Sequence, residues 1–185
     1  MTDKLQILGI SGSLRKGSWN TAVLHAAKQL VPDDAEIVIA EIGELPLFNQ
    51  DLEANPPTSA VEFKQKVRDA DAIIFSSPEY NYSVPGVLKN AIDWASRPYG
   101  DSAWDGKPAL IMGASGGAIG TARMQYHLRQ IMVFLNMEPL NRPEVMIGFA
   151  QDKIDSDGNL TDEATREFIR KGLEALVAWT RKLKS

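Results

Sequence analysis

Leu5-Gln-Ile-Leu-Gly-Ile-Ser-Gly-Ser-Leu-Arg-Lys-Gly-Ser-Trp-Asn20 contains the start of the fold in miniature. Leu5 to Ile10 is an apolar run too short for a helix, the pattern of a strand buried on both faces. Ser11-Gly12-Ser13 ends it, and a helical stretch runs from about Asn20 to Leu30, stopping before Pro32. Strand, polar turn and helix in that order open a parallel sheet with helical crossovers.

The unit recurs along the chain. Glu36 to Ile42 is rich in β-branched residues and reads as a second strand, followed by a Pro- and Asn-studded loop from Leu45 to Pro57. Thr58 or Ser59 can cap a helix carrying Val61, Phe63 and Val67. Ala72 to Phe75 is a third strand, and Pro85 enters a helix with Val87, Leu88, Ala91, Ile92 and Trp94. Beyond a polar loop from Arg97 to Gly106, Ala109 to Met112 is the fourth strand. From Thr121 to Leu135 the apolar positions Ala122, Tyr126, Ile131, Phe134 and Leu135 suit a helix. Fifth-strand material comes in pieces, near Glu138 and at Val145 to Ile147. The last helix runs from about Asp162 to Lys184, with Thr161 or Asp162 as its cap and Phe168, Ile169, Leu173, Leu176, Val177 and Leu183 on one side. This alternation predicts an α/β fold: a doubly wound, flavodoxin-like, five-stranded parallel sheet of order 2-1-3-4-5 with helices on both faces. No repeat or linker interrupts it, so 1–185 is expected to be a single domain.

Composition narrows the function. Twenty Lys+Arg against 24 Asp+Glu give a net charge of −4, without the broad positive field a nucleic-acid binder needs. Absence of cysteine rules out a disulfide scaffold, thiolate-ligated metals and a cysteine nucleophile, and with only His25 and His127 no metal site is expected. No stretch has signal-peptide character or the ~20 apolar residues of a membrane span, so a cytoplasmic protein without membrane insertion is expected.

In a sheet of this order ligands sit beyond the carboxyl ends of the strands, where the order reverses. After the first strand, Ser11, Ser13 and Ser18 supply hydroxyls, Asn20 an amide, the helix start backbone N–H groups, and Arg15 or Lys16 positive charge: a phosphate-binding set. Gly12 and Gly17 allow backbone conformations other residues resist. The glycines have P-loop spacing, yet Ser18-Trp19 follows instead of Lys-Ser or Lys-Thr, and Gly9 and Gly12 lack the G-x-G spacing of a dinucleotide fingerprint. After the third strand, Ser77-Pro-Glu-Tyr-Asn-Tyr-Ser-Val-Pro-Gly86 is stiffened by two prolines and carries two aromatic rings and an amide at its tip, suited to a flat heteroaromatic ring.

Gly12-Ser-Leu-Arg-Lys-Gly-Ser-Trp-Asn20 together with Pro78-Glu-Tyr-Asn-Tyr-Ser-Val-Pro-Gly-Val-Leu-Lys-Asn-Ala-Ile-Asp-Trp94 resembles the NADPH-dependent FMN reductase family, with the greatest likeness to bacterial quinone and chromate reductases. The likeness extends through Ser115-Gly-Gly and Arg142-Pro-Glu-Val145. It implies FMN as cofactor, NAD(P)H as electron donor, and homodimers or homotetramers. The family's phosphate loop corresponds to Ser11, Ser13, Leu14, Arg15, Ser18 and Asn20, and its ring loop to Pro78, Glu79, Tyr80 and Asn81. Ser115, Gly116 and Gly117 correspond to the segment facing the pyrimidine side of the ring. Trp19 receives no ligand role. The expected reaction passes a hydride from NAD(P)H to FMN and two electrons on to a quinone by a ping-pong mechanism, with flavin, azo dye, chromate or ferric acceptors as further substrates. Bound FMN carries this chemistry, and no protein acid or base is required. The alternative is a non-enzymatic FMN-binding electron shuttle or redox regulatory module.

Two other signals fail. Gly113-Ala-Ser-Gly-Gly117 matches a nucleophile elbow, but no acid lies between Ser115 and His127, the only later histidine. Lys153 to Leu160 echoes a calcium loop, yet Lys153 and Ala164 fall at positions needing acids, so Asp155 to Gly158 is a turn. Arg181-Lys-Leu-Lys184 complements the carboxyl end of the last helix, and the helix bearing Arg123 and Tyr126, with Glu144 opposite, is a candidate subunit contact.

Overall fold

The computed structural model describes residues 4–185. Strands β1 (Leu5–Ser11), β2 (Ala35–Ala40), β3 (Ala72–Ser76) and β4 (Pro108–Ala114) form a parallel sheet ordered β2-β1-β3-β4. The fifth position is shared by two fragments, β5 (Glu138–Pro139) and β6 (Val145–Ile147), each pairing in parallel with β4. The expected order and the divided fifth strand are therefore both present.

Side chains alternate across the sheet as strand geometry requires. Leu8, Ile10, Ile73, Phe75 and Ile111 pack on one face beneath α2 (Thr58–Asp69), α3 (Gly86–Ala95) and α4 (Ala122–Phe134). Ile7, Ile37, Ile74, Leu110 and Met112 pack on the other beneath α1 (Trp19–Leu30) and α5 (Glu163–Lys184). Each fully buried aliphatic side chain contributes about 1.5–3 kcal/mol relative to exposure, so both faces must be covered. Among the described residues no helix is long and apolar enough to cross a membrane.

Five local expectations are corrected. α4 turns a different face inward: Met124, Leu128 and Met132 are buried, whereas Tyr126 and Phe134 are 54% and 75% exposed. The i, i+4 row of Met and Leu fits the groove over β4, and the competing apolar row is left outside. α2 follows Pro57 and has no side-chain cap; Ser59 instead donates its hydroxyl to the Glu44 carbonyl at 3.4 Å. In the same helix Ala60, Phe63 and Val67 are buried while Val61 is exposed. The segment from Arg97 to Gly106 is more than polar loop, because Trp104 inserts fully into the core, donates its indole N–H to the Ile92 carbonyl at 3.0 Å and lies against Phe63 and Phe75. β2 ends at Ala40, two residues early.

At the start of α5 the expected cap is Asp162, whose carboxylate accepts from the Thr165 N–H at 2.9 Å and from the Thr165 hydroxyl. These bonds hold the Asp162 carboxyl below its ordinary range. Asp162→Ala should destabilise the protein by about 1 kcal/mol at neutral pH. Because the folded-state pKa is depressed, this stabilisation is complete above the unfolded carboxylate pKa and fades as pH falls through the folded value. Melting curves of wild type and variant should therefore converge in acid. At the other end of α5, Arg181 and Lys184 form ion pairs with Asp34 and Asp71, tying the helix to the lower ends of the strands as well as complementing its own carbonyls. Asp155 accepts from the N–H groups of Asp157 and Asn159, the turn expected there.

Candidate functional site

Parallel register brings the tips of β1, β3 and β4 level, with Ser11 beside Ser76 and Ser76 beside Met112. Two glycines let the loops beyond them close on one another. A Cβ on Gly12 would lie 2.2 Å from Ser77 Oγ, and one on Gly113 would lie 1.9 Å from Thr121 Oγ1 and 2.5 Å from the Ser77 carbonyl oxygen. Backbone bonds seal the contact, Gly12 N–H to the Ser76 carbonyl at 2.9 Å and Ser77 N–H to the Met112 carbonyl at 3.1 Å. Gly12 thus serves close approach; neither it nor Gly17 has the positive φ for which glycine was expected.

Between the loops lies a cavity of about 170 Å³. The first loop contributes Ser13, Arg15 and Ser18, the second Pro78, Glu79 and Tyr80, and the third Ser115 and Gly116. Asn20 lines it too, as do Trp19 and Ala114, which sequence reasoning did not select. Trp19 is the first residue of α1 and is half-buried; an aromatic residue inside the first loop's polar run was the available signal. Four candidates stand outside the lining. Ser11 is buried beneath the loop with its hydroxyl on Thr21 Oγ1 at 2.9 Å, and Leu14 points to solvent. Asn81 occupies the tip of the second loop, and Gly117 follows the lining residues with its N–H directed to Ser115 Oγ at 3.3 Å.

The first loop delivers the amino end of α1 to the cavity. Ser18 caps the helix, accepting from the Thr21 N–H at 3.3 Å. That bond serves Thr21, so the N–H groups of Trp19 and Asn20 remain available at the positive end of a helix whose first turn contains no acid. Arg15 adds a guanidinium 5.4 Å from the centroid of the Trp19 ring. Ser13 Oγ accepts from the Arg15 N–H at 3.3 Å and shapes the turn. Asn20 does not present its amide as expected. Its side chain is buried, with the carbonyl accepting from Ala114 N–H at 2.8 Å and the amide donating to the Ala114 carbonyl at 3.0 Å. It fastens the first loop to the third.

The second loop is a two-residue hairpin: Tyr80 and Ser83 exchange backbone bonds of 3.2 and 3.0 Å across Asn81 and Tyr82. Both central residues are left-handed, with φ of 51° and 65°, as a mirror-type turn demands. Asparagine tolerates this; a tyrosine there costs about 1–2 kcal/mol. Glu79, expected at the ring, turns its carboxylate into the protein. One oxygen accepts from the N–H groups of Arg123 and Met124 at 3.0 and 3.1 Å, and the other pairs with the Arg123 guanidinium at 2.5 Å. It caps α4, whose preceding residue Thr121 makes no capping bond. Arg123 is thereby engaged within its own chain, and Glu144, the anticipated opposite charge, accepts from the Tyr126 hydroxyl at 2.8 Å, which raises the phenol's pKa.

In the third loop Ser115 donates its hydroxyl to the Gly120 carbonyl at 2.6 Å, while His127 bonds Ser83 at 2.8 Å through Nδ1. No serine–histidine pair forms at Ser115. Among the described residues no cluster of acids and histidines could hold a metal. The donor set suits FMN: a cation, hydroxyls and a helix amino end, which match an anionic tail, line the same cavity as Tyr80 and the Gly116 backbone, which match a flat ring.

The model of the NADPH-dependent FMN reductase family matches residues 5–152. An NAD(P)H-dependent FMN reductase of Pseudomonas aeruginosa is 54% identical over the full length of both chains. A 2-hydroxy-1,4-benzoquinone reductase of a Burkholderia species is 45% identical over 96% of this chain and 97% of its own. Among solved structures FerB, a flavoenzyme NAD(P)H:(acceptor) oxidoreductase from Paracoccus denitrificans, aligns with a TM-score of 0.89 and 38% identity over 96% of this chain and 98% of its own. Sheet order, strand-tip loops and these relatives lead to one conclusion: the chain belongs to the NADPH-dependent FMN reductase family, enzymes with FMN as cofactor and a reduced nicotinamide nucleotide as electron source.

Proposed function

We propose that the protein catalyses two-electron reduction of quinones by NAD(P)H, with nucleotide and quinone using one cavity in turn. The observation that carries this reading is a cavity lined by all three strand-tip loops, in which anion-type donors from the first loop and Tyr80 from the second come together. FMN, when bound, accepts two electrons from the nicotinamide and passes them to the acceptor. The chain's part is to bind and orient. Arg15 and the amino end of α1 hold the phosphate, over a turn braced by Ser11, Ser13 and Ser18, with Leu14 on its solvent side. Pro78, Tyr80 and Asn81 flank the ring, with Glu79 anchoring their loop. Backbone donors near Gly116 and Gly117 offset negative charge that develops at the ring's pyrimidine edge.

Quinone is favoured as acceptor because the Burkholderia relative is named for a benzoquinone and a 47% identical relative from Solanum tuberosum is an NAD(P)H:quinone oxidoreductase. Flavin, azo, chromate and ferric acceptors are secondary substrates of an open site. A cytoplasmic, one-domain subunit working as a homodimer or homotetramer completes the proposal. Purified protein should be yellow, bleach rapidly on adding NADPH, and give parallel initial-rate plots when NADPH and a quinone are varied. Intersecting plots would rule out the alternating order. Failure to bleach would favour the electron shuttle.

A further inference from the structure

Tyr82 is the one aromatic residue of the ring-facing loop held in left-handed backbone, with φ of 65°. Strained residues at ligand loops persist only where their surroundings over-determine them. Here the surroundings are the first two turns of α4. The Arg123 guanidinium lies 3.7 Å from the centroid of the Tyr82 ring. Its Nε is bound to the Glu79 carboxylate at 2.5 Å, and that carboxyl side chain is only 6% exposed. One helical turn on, His127 meets the Ser83 hydroxyl at 2.8 Å. Residues 123 and 127 share a helix face, so contacts on both sides of Tyr82 are made from one stripe of α4.

We propose that Arg123 is a positioning residue for the ring-facing loop: anchored by Glu79, its guanidinium stacks on Tyr82 and holds the left-handed turn that sets the Tyr80 wall of the cavity. The proposal rests on the reading that residues 78–81 meet the flavin ring. It does not need Arg123 to touch FMN, and it separates two duties of Glu79. The bonds that the Glu79 carboxylate accepts from Arg123 and Met124 are donated by main-chain N–H groups and survive loss of the arginine side chain, so α4 stays capped in Arg123→Ala. Only the stack and the side-chain pair are removed.

The test is a double-mutant cycle on the FMN-loaded full-length protein, read by the visible bands of the bound flavin and by amide exchange of Ser83, whose N–H closes the turn on the Tyr80 carbonyl at 3.0 Å. Arg123→Ala should leave FMN bound through the phosphate loop, shift the flavin bands, and speed Ser83 exchange about ten-fold, as loss of a stacked, paired cation would. Arg123→Lys should fall between, since a lysine pairs with Glu79 but lacks the planar fork that stacks. In a Tyr82→Gly background, where glycine takes positive φ without strain, Arg123→Ala should change neither readout appreciably. Equal effects in both backgrounds would overturn the proposal, as would faster exchange with unmoved flavin bands, which leaves Arg123 a purely structural clamp. Asn81→Ala separates the underlying reading: bands that move with Asn81→Ala but not with Arg123→Ala defeat the clamp alone, and bands that move with neither defeat the ring-loop reading and the clamp with it.

Discussion

Asn20→Ala should lower stability by about 2–4 kcal/mol and release most of the FMN from purified protein. The estimate follows from two buried hydrogen bonds, 2.8 and 3.0 Å long, that bracket the N–H and carbonyl of Ala114. A net hydrogen bond is worth about 1 kcal/mol, but a buried partner left without one costs about 1–3 kcal/mol, and alanine orphans two such groups. The functional loss has the same origin. Ala114 lines the cavity and leads into Ser115 and Gly116, so the bracket fixes the separation between the first and third loops. Asn20→Asp sharpens the test: its carboxylate accepts from Ala114 N–H but sets a second acceptor against the Ala114 carbonyl, and should be almost as damaging. Urea melts and FMN retained after ultrafiltration measure both effects. A variant that melts like wild type and stays yellow would show that the bracket is dispensable.

Gly113→Ala should be worse than its single methyl suggests. The new Cβ would lie 1.9 Å from Thr121 Oγ1, a side chain with no exposure, and 2.5 Å from the Ser77 carbonyl oxygen. Backbone cannot rotate aside, so β3 and β4 must part where their loops form the site. Overpacking of this kind costs about 1–3 kcal/mol and sometimes more. Adding Thr121→Ala should recover only part of the loss, because the contact with the Ser77 carbonyl remains. Gly17→Ala is the control: its Cβ meets only Arg15 Nη1 at 3.3 Å, the mobile end of a long side chain, and the variant should melt near wild type. Equal melting of Gly113→Ala and Gly17→Ala would refute the packing argument.

Sheet order was legible, and so was the meeting of the strand-tip loops at one cavity, because both depend on local pattern. Apolar runs such as Leu5 to Ile10 and Ala72 to Phe75 declare buried strands, and the turns after them place Ser13, Arg15, Tyr80 and Ser115 at one edge. Roles fixed by distant partners were not legible. Asn20 looks like a ligand donor until its partner, 94 residues away, is known, and Glu79 looks like a ring contact until α4 is seen 44 residues on. The inward face of α4 was ambiguous for another reason: Met124-Leu128-Met132 and Tyr126-Val133-Phe134 are both apolar rows, and periodicity cannot choose between them. Trp104 was hidden by polar neighbours, although so large an apolar side chain seldom lies in a loop without a core to enter.

The divided strand beside β4 has a consequence for life in concentrated solution. A continuous strand on that margin would display a row of unsatisfied amide groups, a template for another molecule's chain to zip onto. Here an approaching chain finds two residues, Glu138–Pro139, one of them a proline without N–H, then a break containing Pro143, then only Val145–Ile147. The template is too short and too interrupted to copy, which protects that margin from cross-molecule sheet growth while Val145–Ile147 still pairs with Met112–Ala114 at the end of β4 nearest the cavity.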